Sequence, residues 1–396
     1  MSAKVVVKQL LRPAMGRQEY EMCEHKGIGH PDTLTDAMCE AASRDVSLTY
    51  LKEFGRIMHH NLDKGLLIAG ASSPRFGGGI VTQPIKVVIC GRATEFKNHM
   101  DVREIAVTAA RHYLQQHIRC DTNNFKFVAE IKEGSKNLQN VMPGRREVTL
   151  SNDTSFGVGF APYSRLEQTV LDLAKVLKSD EFRLSFPVAG DDFKVMAYRV
   201  AVNGSPVITT ALAFIDRYVE NVEHYFSLKN AIHDYLLSKL SVTAELRINM
   251  LDDCHAKDEQ GIYLTVSGLS AEMGDDGQVG RGNRVSGLIT PNRMMSREAA
   301  AGKNPVSHVG KIYNVLAMLM ARDIYEKIGT VEEVNVQLLS TIGRPIHQPQ
   351  VTVIELGVGK DIAGILSAEV RTIVNNWLMN IDSVTDRILN QQVAIF

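Results

Sequence analysis

The sequence predicts an α+β protein of three similar, interlocked units, each a mixed β-sheet packed under helices. Its 396 residues suffice for about two or three domains. A long helical pattern followed by an alternating strand recurs over 102–131, 219–251 and 309–340, each time after an earlier strand. No linker rich in Pro, Gly or Ser separates these recurrences, so we expect the units to interlock. We place the units at residues 1–150, 151–261 and 262–396.

The bulk composition excludes several classes of protein. With 44% hydrophobic and 22% charged residues, the sequence is typical of a soluble globular protein and not of a disordered or fibrous one. A net charge of −1 gives no general attraction for nucleic acid. No apolar run approaches the ~18 residues of a membrane span. We therefore expect neither a nucleic-acid nor a membrane partner.

The cysteines and the N-terminus predict a cytoplasmic protein. The five cysteines are widely spaced and form no Cys-x-x-Cys pair, which indicates neither a zinc site nor a disulfide framework. Reduced cysteines in a core are typical of the cytoplasm. Residues 1–11 contain no small-residue cleavage site, so we expect no secretory signal.

Helical spacing and turn residues define the elements of the first unit. Pro31 suits the first position of a helix, and Leu34, Met38 and Ala42 continue at helical period to about Phe54. The predicted elements are a strand at 4–11, a turn at 27–32, the helix to residue 54, strands at 66–71 and 85–94, a helix at 102–118 and a strand at 125–131.

The second and third units show the same mixture. Asn203-Gly204, between two alternating runs, is typical of a hairpin turn. We expect Trp377 to be buried in the largely helical C-terminal region. The predicted elements are a helix at 164–177, hairpin strands at 193–202 and 207–215, a helix at 219–240, strands at 243–251 and 262–269, a helix at 309–328, a strand at 333–340 and helical structure over 362–389.

One stretch combines glycine with charges of both signs. Residues 272–284 (EMGDDGQVGRGNR) hold three acidic residues, two arginines and four glycines. The glycines exclude a helix interior and let backbone N–H groups approach an anion. Arginine matches phosphate oxygens, and Asp275 or Asp276 could hold a cation or an amine. An acidic turn that binds nothing is the alternative, but the mixture favours a polyphosphate or nucleotide loop.

A predicted helix N-terminus near residue 30 is a second candidate site. Asp32, Asp36 and Glu40 fall at i, i+4 and i+8, which places three carboxylates on one helix face. The free N–H groups and the positive dipole end favour phosphate. His30 could donate to an oxygen there, and Asp32 could hold Mg²⁺. An ordinary capped helix with acidic first turns is the alternative.

Two further charged stretches have two interpretations each. Asp192 and Lys194 point to one face of a strand, which suits phosphate and metal together but also a surface ion pair. Lys303, His308 and Lys311 surround the start of the third long helix. They do not complete a Walker A loop, because its first glycine and its Ser or Thr are absent. The sequence also contains no Rossmann fingerprint and no nucleophile elbow.

Five segments are the most specific signal: GHPD at 29–32, NDTSFGVGFAP at 152–162, DFKVM at 192–196, EMGDDGQVGRGNRVSGLITP at 272–291 and GKNPVSHVGKIYN at 302–314. Together, and in this order, they resemble the archaeal-type S-adenosylmethionine synthetase (methionine adenosyltransferase) family. The resemblance extends from about residue 20 to the C-terminus. It implies three interlocked units of similar build and a homodimer with active sites between the subunits.

The resemblance also implies a reaction. Methionine sulfur attacks ribose C5′ of ATP, and the released tripolyphosphate is hydrolysed to diphosphate and phosphate, with Mg²⁺ and a monovalent cation, K⁺, as cofactors. A thioether carries no proton, so the first step needs no general base, in agreement with the absence of a nucleophile–base pattern. Fixed cations around the departing triphosphate then dominate catalysis.

The matched positions take their roles from the same resemblance. The implied catalytic residues are His30, Lys194, Arg281 and Lys303, and the implied metal ligands are Asp32, Asp36 and Asp192. The implied contacts to ATP and methionine are Gly134, Ser135, Lys136, Asn137, Asp153, Ser155, Phe156, Asp275, Asp276, Gly280, Asn283, Arg284, His308 and Lys311.

The chain departs from the family pattern at two places. The stretch 132–137 (KEGSKN) keeps one glycine and the serine of the family's Gly-Gln-Gly-Ser, but not the first glycine, the glutamine or the following acid. Residues 62–64 (LDK) replace Thr-Asp-Gln. A phosphotransferase or ATPase could use the same cations, and the departures leave open a non-catalytic nucleotide-binding regulatory subunit.

Overall fold

The computed structural model describes residues 4–96, 100–135, 148–358 and 362–396. Its helices are α1 (Pro31–Phe54), α2 (Val102–His117), α3 (Arg165–Leu177), α4 (Asp180–Ser185), α5 (Val222–Lys239), α6 (Val309–Lys327), α7 (Ile362–Met379) and α8 (Asp382–Leu389). Its strands are β1 (Lys4–Gln9), β2 (Tyr20–Lys26), β3 (His60–Ile68), β4 (Ala71–Ser73), β5 (Ile80–Gln83), β6 (Ile85–Ala93), β7 (Phe125–Lys132), β8 (Phe156–Ala161), β9 (Ala189–Val200), β10 (Val207–Ile215), β11 (Glu245–Ile248), β12 (Leu264–Thr265), β13 (Gly277–Gln278), β14 (Val334–Leu339) and β15 (Val351–Leu356).

Three mixed sheets repeat one arrangement. The first has the order β13-β3-β6-β7, the second β2-β9-β10-β11 and the third β8-β14-β15-β1. In each, the first three strands are antiparallel neighbours and the last pair is parallel. A parallel pair needs a crossover connection, which α2 supplies between β6 and β7 and α5 between β10 and β11. The predicted α+β class with mixed sheets and helices is confirmed.

The third sheet obtains its last strand from the other end of the chain. β1 pairs in parallel with β15, and α7, which follows β15, packs against β1. In the third sheet, α7 and β1 therefore occupy the places that α2 and β7 occupy in the first sheet. The predicted helix and strand at 309–340 do not. Those two, α6 and β14, instead correspond to α1 with β3. A local helix–strand pattern does not specify which strands pair. For this reason the predicted third recurrence paired the wrong helix and strand with those of the first unit.

Several strands pair across the predicted unit boundaries. β1 joins β15, β2 joins β9 and β13 joins β3, so the sheets draw on distant parts of the chain. The boundaries after residues 150 and 261 stay a prediction.

Each sheet has its own apolar core under its helices. Tyr50, Tyr225 and Tyr313 are fully buried, one in each core. Burial of such a side chain stabilises the fold by about 1.5–3 kcal/mol. In the first core α1 begins with Pro31 at its first turn and ends at Gly55, whose φ of 66° is readily adopted by glycine. This helix positions much of the candidate site.

Some predicted elements differ from the structure. β2, β8 and β15 were not predicted, and only β12 forms within the strand expected at 262–269. Trp377 is half-buried and donates to Asp323 (3.0 Å). The cysteines of the described residues are free; two are buried, and Cys254 is exposed. Within the described ranges, none of the helices has the length and apolar character needed to cross a bilayer.

Candidate functional site

The glycine-rich loop at 272–284 lies against the N-terminal half of α1. Its strand β13 pairs with β3, and its glycines permit close contact with the helix. A Cβ at Gly277 would lie 2.2 Å from the carbonyl oxygen of Pro31, and one at Gly282 would lie 2.2 Å from Oδ2 of Asp36. A Cβ cannot be accommodated at these separations without a shift of α1 or of the loop. The close contact with α1 therefore explains why the loop has glycine at these positions.

Three carboxylates of α1 accept backbone N–H groups from two loops; we call them the carboxylate row (Asp32, Asp36 and Glu40). Asp32 Oδ1 accepts from Gln278 N (3.0 Å) and Asp36 Oδ1 from Gly280 N (2.8 Å). Glu40 Oε2 accepts from Gly302 N (2.9 Å). The spacing predicted from sequence therefore joins the glycine-rich loop to the loop that carries Lys303. Burial raises the pKa of Asp36 to about 7.

Four predicted substrate contacts make hydrogen bonds within or beside the loop. Arg284 donates to the carbonyl oxygens of Gly280 (2.5 Å) and Gly282 (2.8 Å). Asn283 pairs with both the N–H and the carbonyl of Lys26 (2.9 Å each). Asp276 Oδ1 accepts from Ala69 N (2.8 Å). These contacts shape the loop, and the substrate contacts of Gly280, Asn283, Arg284 and Asp276 stay predictions.

The first cluster (Lys26, His30, Lys194 and Arg281) lies where β2, β9 and the glycine-rich loop meet. Lys26 and Lys194 are register partners on adjacent strands, and Glu24 Oε2 lies 3.3 Å from Lys194 Nζ. The Lys194 side chain is 41% exposed and that of Arg281 is 70% exposed. Both side chains are thus accessible to solvent, and their predicted role in binding phosphate stays a prediction.

His30 caps α1 at the centre of this cluster. Its Nδ1 accepts from Asp32 N (3.2 Å), and Gly29 N donates to the Asp191 carbonyl (2.9 Å), which holds the turn against β9. Burial, and then the nearby Lys26 ammonium, lowers the pKa of His30 to about 4. The imidazole is therefore neutral at pH 7 and serves as a hydrogen-bonding group, not as a charge.

An acidic pair lies beside the first cluster. Asp192 is buried and accepts from Ser270 N (2.8 Å) and from the Ser270 hydroxyl, which also lies 3.2 Å from Asp275 Oδ2. Burial raises the pKa of Asp192 to about 7. The buried carboxylate of Asp192 suits Mg²⁺ when substrate phosphates complete its coordination. No group of three or more potential ligands occurs in the described part of the chain.

The second cluster (Lys64, Lys303, His308 and Lys311) lies further along α1. Lys303 Nζ pairs with Glu298 and lies 3.9 Å from Asp63 Oδ2. His308 caps α6, with Nδ1 accepting from Gly310 N (3.2 Å). Burial, and then Lys303 and Lys311, lowers the pKa of His308 well below its usual value. Lys311 is fully buried and faces both carboxylate oxygens of Glu40 (2.8 and 2.7 Å).

A third segment borders the second cluster. Asn152 N donates to the Ser307 carbonyl (3.2 Å), so residues 152–156 lie beside the start of α6. Asp153 and Phe156 are exposed there, whereas Ser155 is buried and its backbone pairs with Ser340. The structure thus places Asn152 against the residues on either side of His308, since Val309 N also donates to Asn152 Oδ1 (3.2 Å); the substrate contacts of Asp153, Ser155 and Phe156 stay predictions.

The altered stretch at 132–137 is described only in part. Gly134 lies against His59, since a Cβ at Gly134 would be 2.7 Å from the imidazole. Ser135 is exposed at the end of the described range. The predicted contacts Lys136 and Asn137 lie outside the described residues.

Sequence analysis missed three site residues. Lys26 Nζ donates to Asp32 Oδ2 and to the Arg281 carbonyl (2.8 Å each). Glu24 pairs with Lys194, and Glu298 pairs with Lys303. Glu24 and Lys26 alternate along β2, so recognition of that strand would have placed both on the face of Lys194.

The chain resembles known proteins along nearly its whole length. A family model described as S-adenosylmethionine synthetase (AdoMet synthetase) matches residues 3–392. The S-adenosylmethionine synthase of Thermococcus onnurineus is 44% identical over 401 residues, which cover 99% of this chain and 98% of that protein. That of Pyrococcus furiosus is 43% identical over 406 residues and covers 100% of each.

A solved structure supports the same fold. The structure of an unusual S-adenosylmethionine synthetase from Campylobacter jejuni has a TM-score of 0.63, covering 91% of this chain and 88% of that chain at 16% identity. Together with the family model and the relatives, it confirms the resemblance predicted from the five sequence segments.

Proposed function

The chain belongs to the S-adenosylmethionine synthetase family, and on this premise we propose that it forms S-adenosylmethionine from ATP and L-methionine. The methionine sulfur forms a bond to ribose C5′ while the C5′–oxygen bond breaks, and the electron pair leaves with the triphosphate. Hydrolysis of that triphosphate yields diphosphate and phosphate. The observation that carries the proposal is the family match over residues 3–392.

The two clusters supply what this reaction needs. Because a neutral thioether is the nucleophile, the difficulty lies in the charge of the leaving group. Lys194 and Arg281 present exposed charges to it, whereas Lys303 is 5% exposed and paired with Glu298, and its catalytic role stays a prediction. The neutral His30 donates a hydrogen bond to a phosphate oxygen. Donors fixed before the reaction are worth about 3–4 kcal/mol each at the transition state.

We propose that Mg²⁺ and K⁺ assist the reaction. The buried Asp192, which accepts from Ser270, fits Mg²⁺, and Asp32 is predicted as a second ligand. Bound Mg²⁺ would neutralise charge on the triphosphate oxygens. Asp36 is predicted as a further ligand, although its oxygens face Gly280 and Gly282 of the loop. The exposed Asp275 also suits the methionine ammonium, since Asp276 is engaged by Ala69.

We further propose that the protein is a homodimer with its active sites at the subunit interface. The outer face of the second sheet carries exposed apolar side chains beside Lys194: Tyr20, Met22, Met196, Tyr198 and Val200. Contiguous apolar patches of this kind mark interaction surfaces. Sedimentation of a Tyr198→Glu variant should show a monomer with reduced synthesis, and a fully active monomer would contradict this arrangement. A cytoplasmic location is part of the same proposal.

The direct test is one incubation of the purified protein with ATP, methionine, Mg²⁺ and K⁺, followed by mass spectrometry. We expect S-adenosylmethionine, diphosphate and phosphate in equal amounts, and no adenosyl product without methionine. Formation of ADP or AMP alone would indicate a phosphotransferase or ATPase. Nucleotide binding without any product would indicate a regulatory subunit.

A further inference from the structure

We propose that the ion pair between Glu40 and the buried Lys311 is a positioning element that sets the place of Lys303 relative to Arg281. It rests on the proposed function, in which Arg281 and Lys303 bind one triphosphate and Lys303, 5% exposed and paired with Glu298 here, exchanges that partner for phosphate oxygens. Lys311 and Glu40 then act through the backbone of the Lys303 loop and do not themselves contact substrate.

The contacts of Lys311 exclude a direct role. Its side chain is 1% exposed, and its ammonium lies 2.8 and 2.7 Å from the two oxygens of Glu40. An ammonium held in this way at full burial cannot reach a ligand on the open side of the second cluster. Its effect on a ligand must therefore pass through Glu40.

Glu40 holds the residue that precedes Lys303. Its Oε2 accepts from Gly302 N (2.9 Å), and the Gly302 carbonyl accepts from Leu62 N (2.7 Å). Gly302 has a φ of +74°, and a Cβ there would lie 2.4 Å from the Leu62 carbonyl oxygen. The backbone at Gly302 is thus held from two sides. The lysine, in contact with both carboxylate oxygens, holds the carboxylate in the orientation of this hydrogen bond.

The same device recurs one helical turn earlier. Asp36 accepts from Gly280 N, and Gly280 directly precedes Arg281. Four residues of α-helix span about 6 Å, so the rigid α1 fixes the spacing between two glycines, each followed by a cation. The carboxylate row on α1 therefore fixes the distance between two loops that lie far apart in the sequence.

A double variant in which both Glu40 and Lys311 are replaced by neutral residues distinguishes an effect on the position of Lys303 from an effect on stability. Removal of one partner of a buried ion pair strands the other charge, whereas replacement of both by neutral groups of similar shape is often tolerated. Glu40→Gln with Lys311→Met provides this replacement. The matched control is Lys229→Met with Asp252→Asn: Lys229 Nζ lies 2.7 Å from Asp252, which also accepts from a backbone amide, Tyr263 N (3.0 Å).

The experiment measures tripolyphosphate affinity by calorimetry in Mg²⁺, together with kcat, the KM for methionine and the thermal midpoint. For the charge-free Glu40/Lys311 variant we expect about tenfold weaker tripolyphosphate binding and at least tenfold lower kcat. The KM for methionine should stay within twofold, because Asp275 is untouched. The control variant should keep the tripolyphosphate affinity, kcat and the KM for methionine within twofold of the parent.

Two results would overturn the proposal: affinity and kcat within twofold of the parent, or equal losses in the control. If the charge-free variant does not fold, Glu40→Asp replaces it, since it retains the charge but draws the carboxylate away from Gly302. Unchanged tripolyphosphate affinity in Glu40→Asp would likewise count against positioning. A parent that makes no S-adenosylmethionine refutes the proposed function, while the affinity comparison still decides the role of this pair.

Discussion

At the scale of single residues, exposure distinguishes charges that can meet a ligand from charges that build the site. Lys194 and Arg281 remain exposed beside Lys26, whose side chain is only 11% exposed and is bound to Asp32 and to the Arg281 carbonyl. Exposed cations in a rigid frame are suited to bind a triphosphate as its charge develops. Residue substitutions can therefore test binding and chemistry without loss of the fold.

Lys194→Met should lower S-adenosylmethionine synthesis at least a hundredfold while the thermal midpoint stays close to that of the parent. The lost charge would stabilise the leaving triphosphate by about 3–4 kcal/mol at the transition state. A coupled phosphate assay measures the rate. Lys86→Met, at an exposed strand position elsewhere, is the control and should be fully active. Near-normal turnover of Lys194→Met would refute its assignment.

Arg281→Leu and Asp275→Asn should separate the two halves of the glycine-rich loop. Arg281→Leu should slow both S-adenosylmethionine formation and hydrolysis of added tripolyphosphate, because both reactions place triphosphate at this side chain. Asp275→Asn should raise the KM for methionine about tenfold or more, since a hydrogen bond to a charged group contributes about 1.5–3 kcal/mol. Tripolyphosphate hydrolysis by Asp275→Asn should stay near the parent rate. If Asp275→Asn slowed tripolyphosphate hydrolysis and Arg281→Leu chiefly raised the KM for methionine, the assignments of the two residues would be reversed.

The sequence motifs identified candidate residues but not their immediate partners. The family resemblance named Lys194, Arg281 and Lys303, all of which lie in the two clusters. It did not reveal Glu24 or Glu298, because a pairing between side chains distant in the chain leaves no local pattern. Similarly, the burial of Lys311 depends on tertiary packing. The sequence pattern of this helix does not indicate which of its charged residues is buried.

At the scale of elements, α1 and the glycine-rich loop form one working unit. The helix supplies carboxylates at regular spacing, and the loop supplies glycines that let its N–H groups reach them. The i, i+4, i+8 pattern was predicted from sequence. Its partners were not, since the pattern fits a capped helix equally well. β2 was missed because its alternation is broken by the buried Glu21, which is paired with Arg199 (3.0 Å).

Gly277→Ala should push the glycine-rich loop away from α1. Its Cβ would lie 2.2 Å from the Pro31 carbonyl oxygen, and backbone cannot move aside as a side chain can. Overpacking of this kind typically costs about 1–3 kcal/mol. Denaturant unfolding measures this loss, and synthesis should fall with it. Gly364→Ala is the control, because nothing lies within 4 Å of its added Cβ and alanine favours a helix; destabilisation of both variants alike would contradict the contact.

At the scale of the whole molecule, buried histidines tie the stability of the protein to pH. His25 and His60 lie in different sheets, and burial lowers their pKa values to about 4 and about 3. Unfolded histidines bind protons below about pH 6.5, whereas these folded ones do not until the pH is far lower. Each therefore weakens the folded state as the pH falls from about 6.5. The buried Asp36 and Asp192, with raised pKa values, act in the opposite direction.

Comparison with a His60→Gln variant isolates one histidine from these opposing groups. His60 Nε2 contacts the Ser43 hydroxyl (2.9 Å), and a glutamine amide can take up a similar contact. Between pH 6.5 and 4 the free energy of unfolding of the parent should fall more steeply, by up to about 1.4 kcal/mol per pH unit. Urea titrations at several pH values measure the difference. Parallel curves for the two proteins would show that His60 does not titrate as expected.

The pairing of β1 with β15 has a consequence for the synthesis of the chain on the ribosome. Lys4 is synthesised long before its register partner, Val351. β1 therefore keeps an unpaired edge until the chain up to β15 has been translated, and the third sheet can close only when β15 has left the exit tunnel. Such non-local pairing slows folding and prolongs the exposure of strand edges. We expect nascent chains halted before residue 351 to be bound by chaperones.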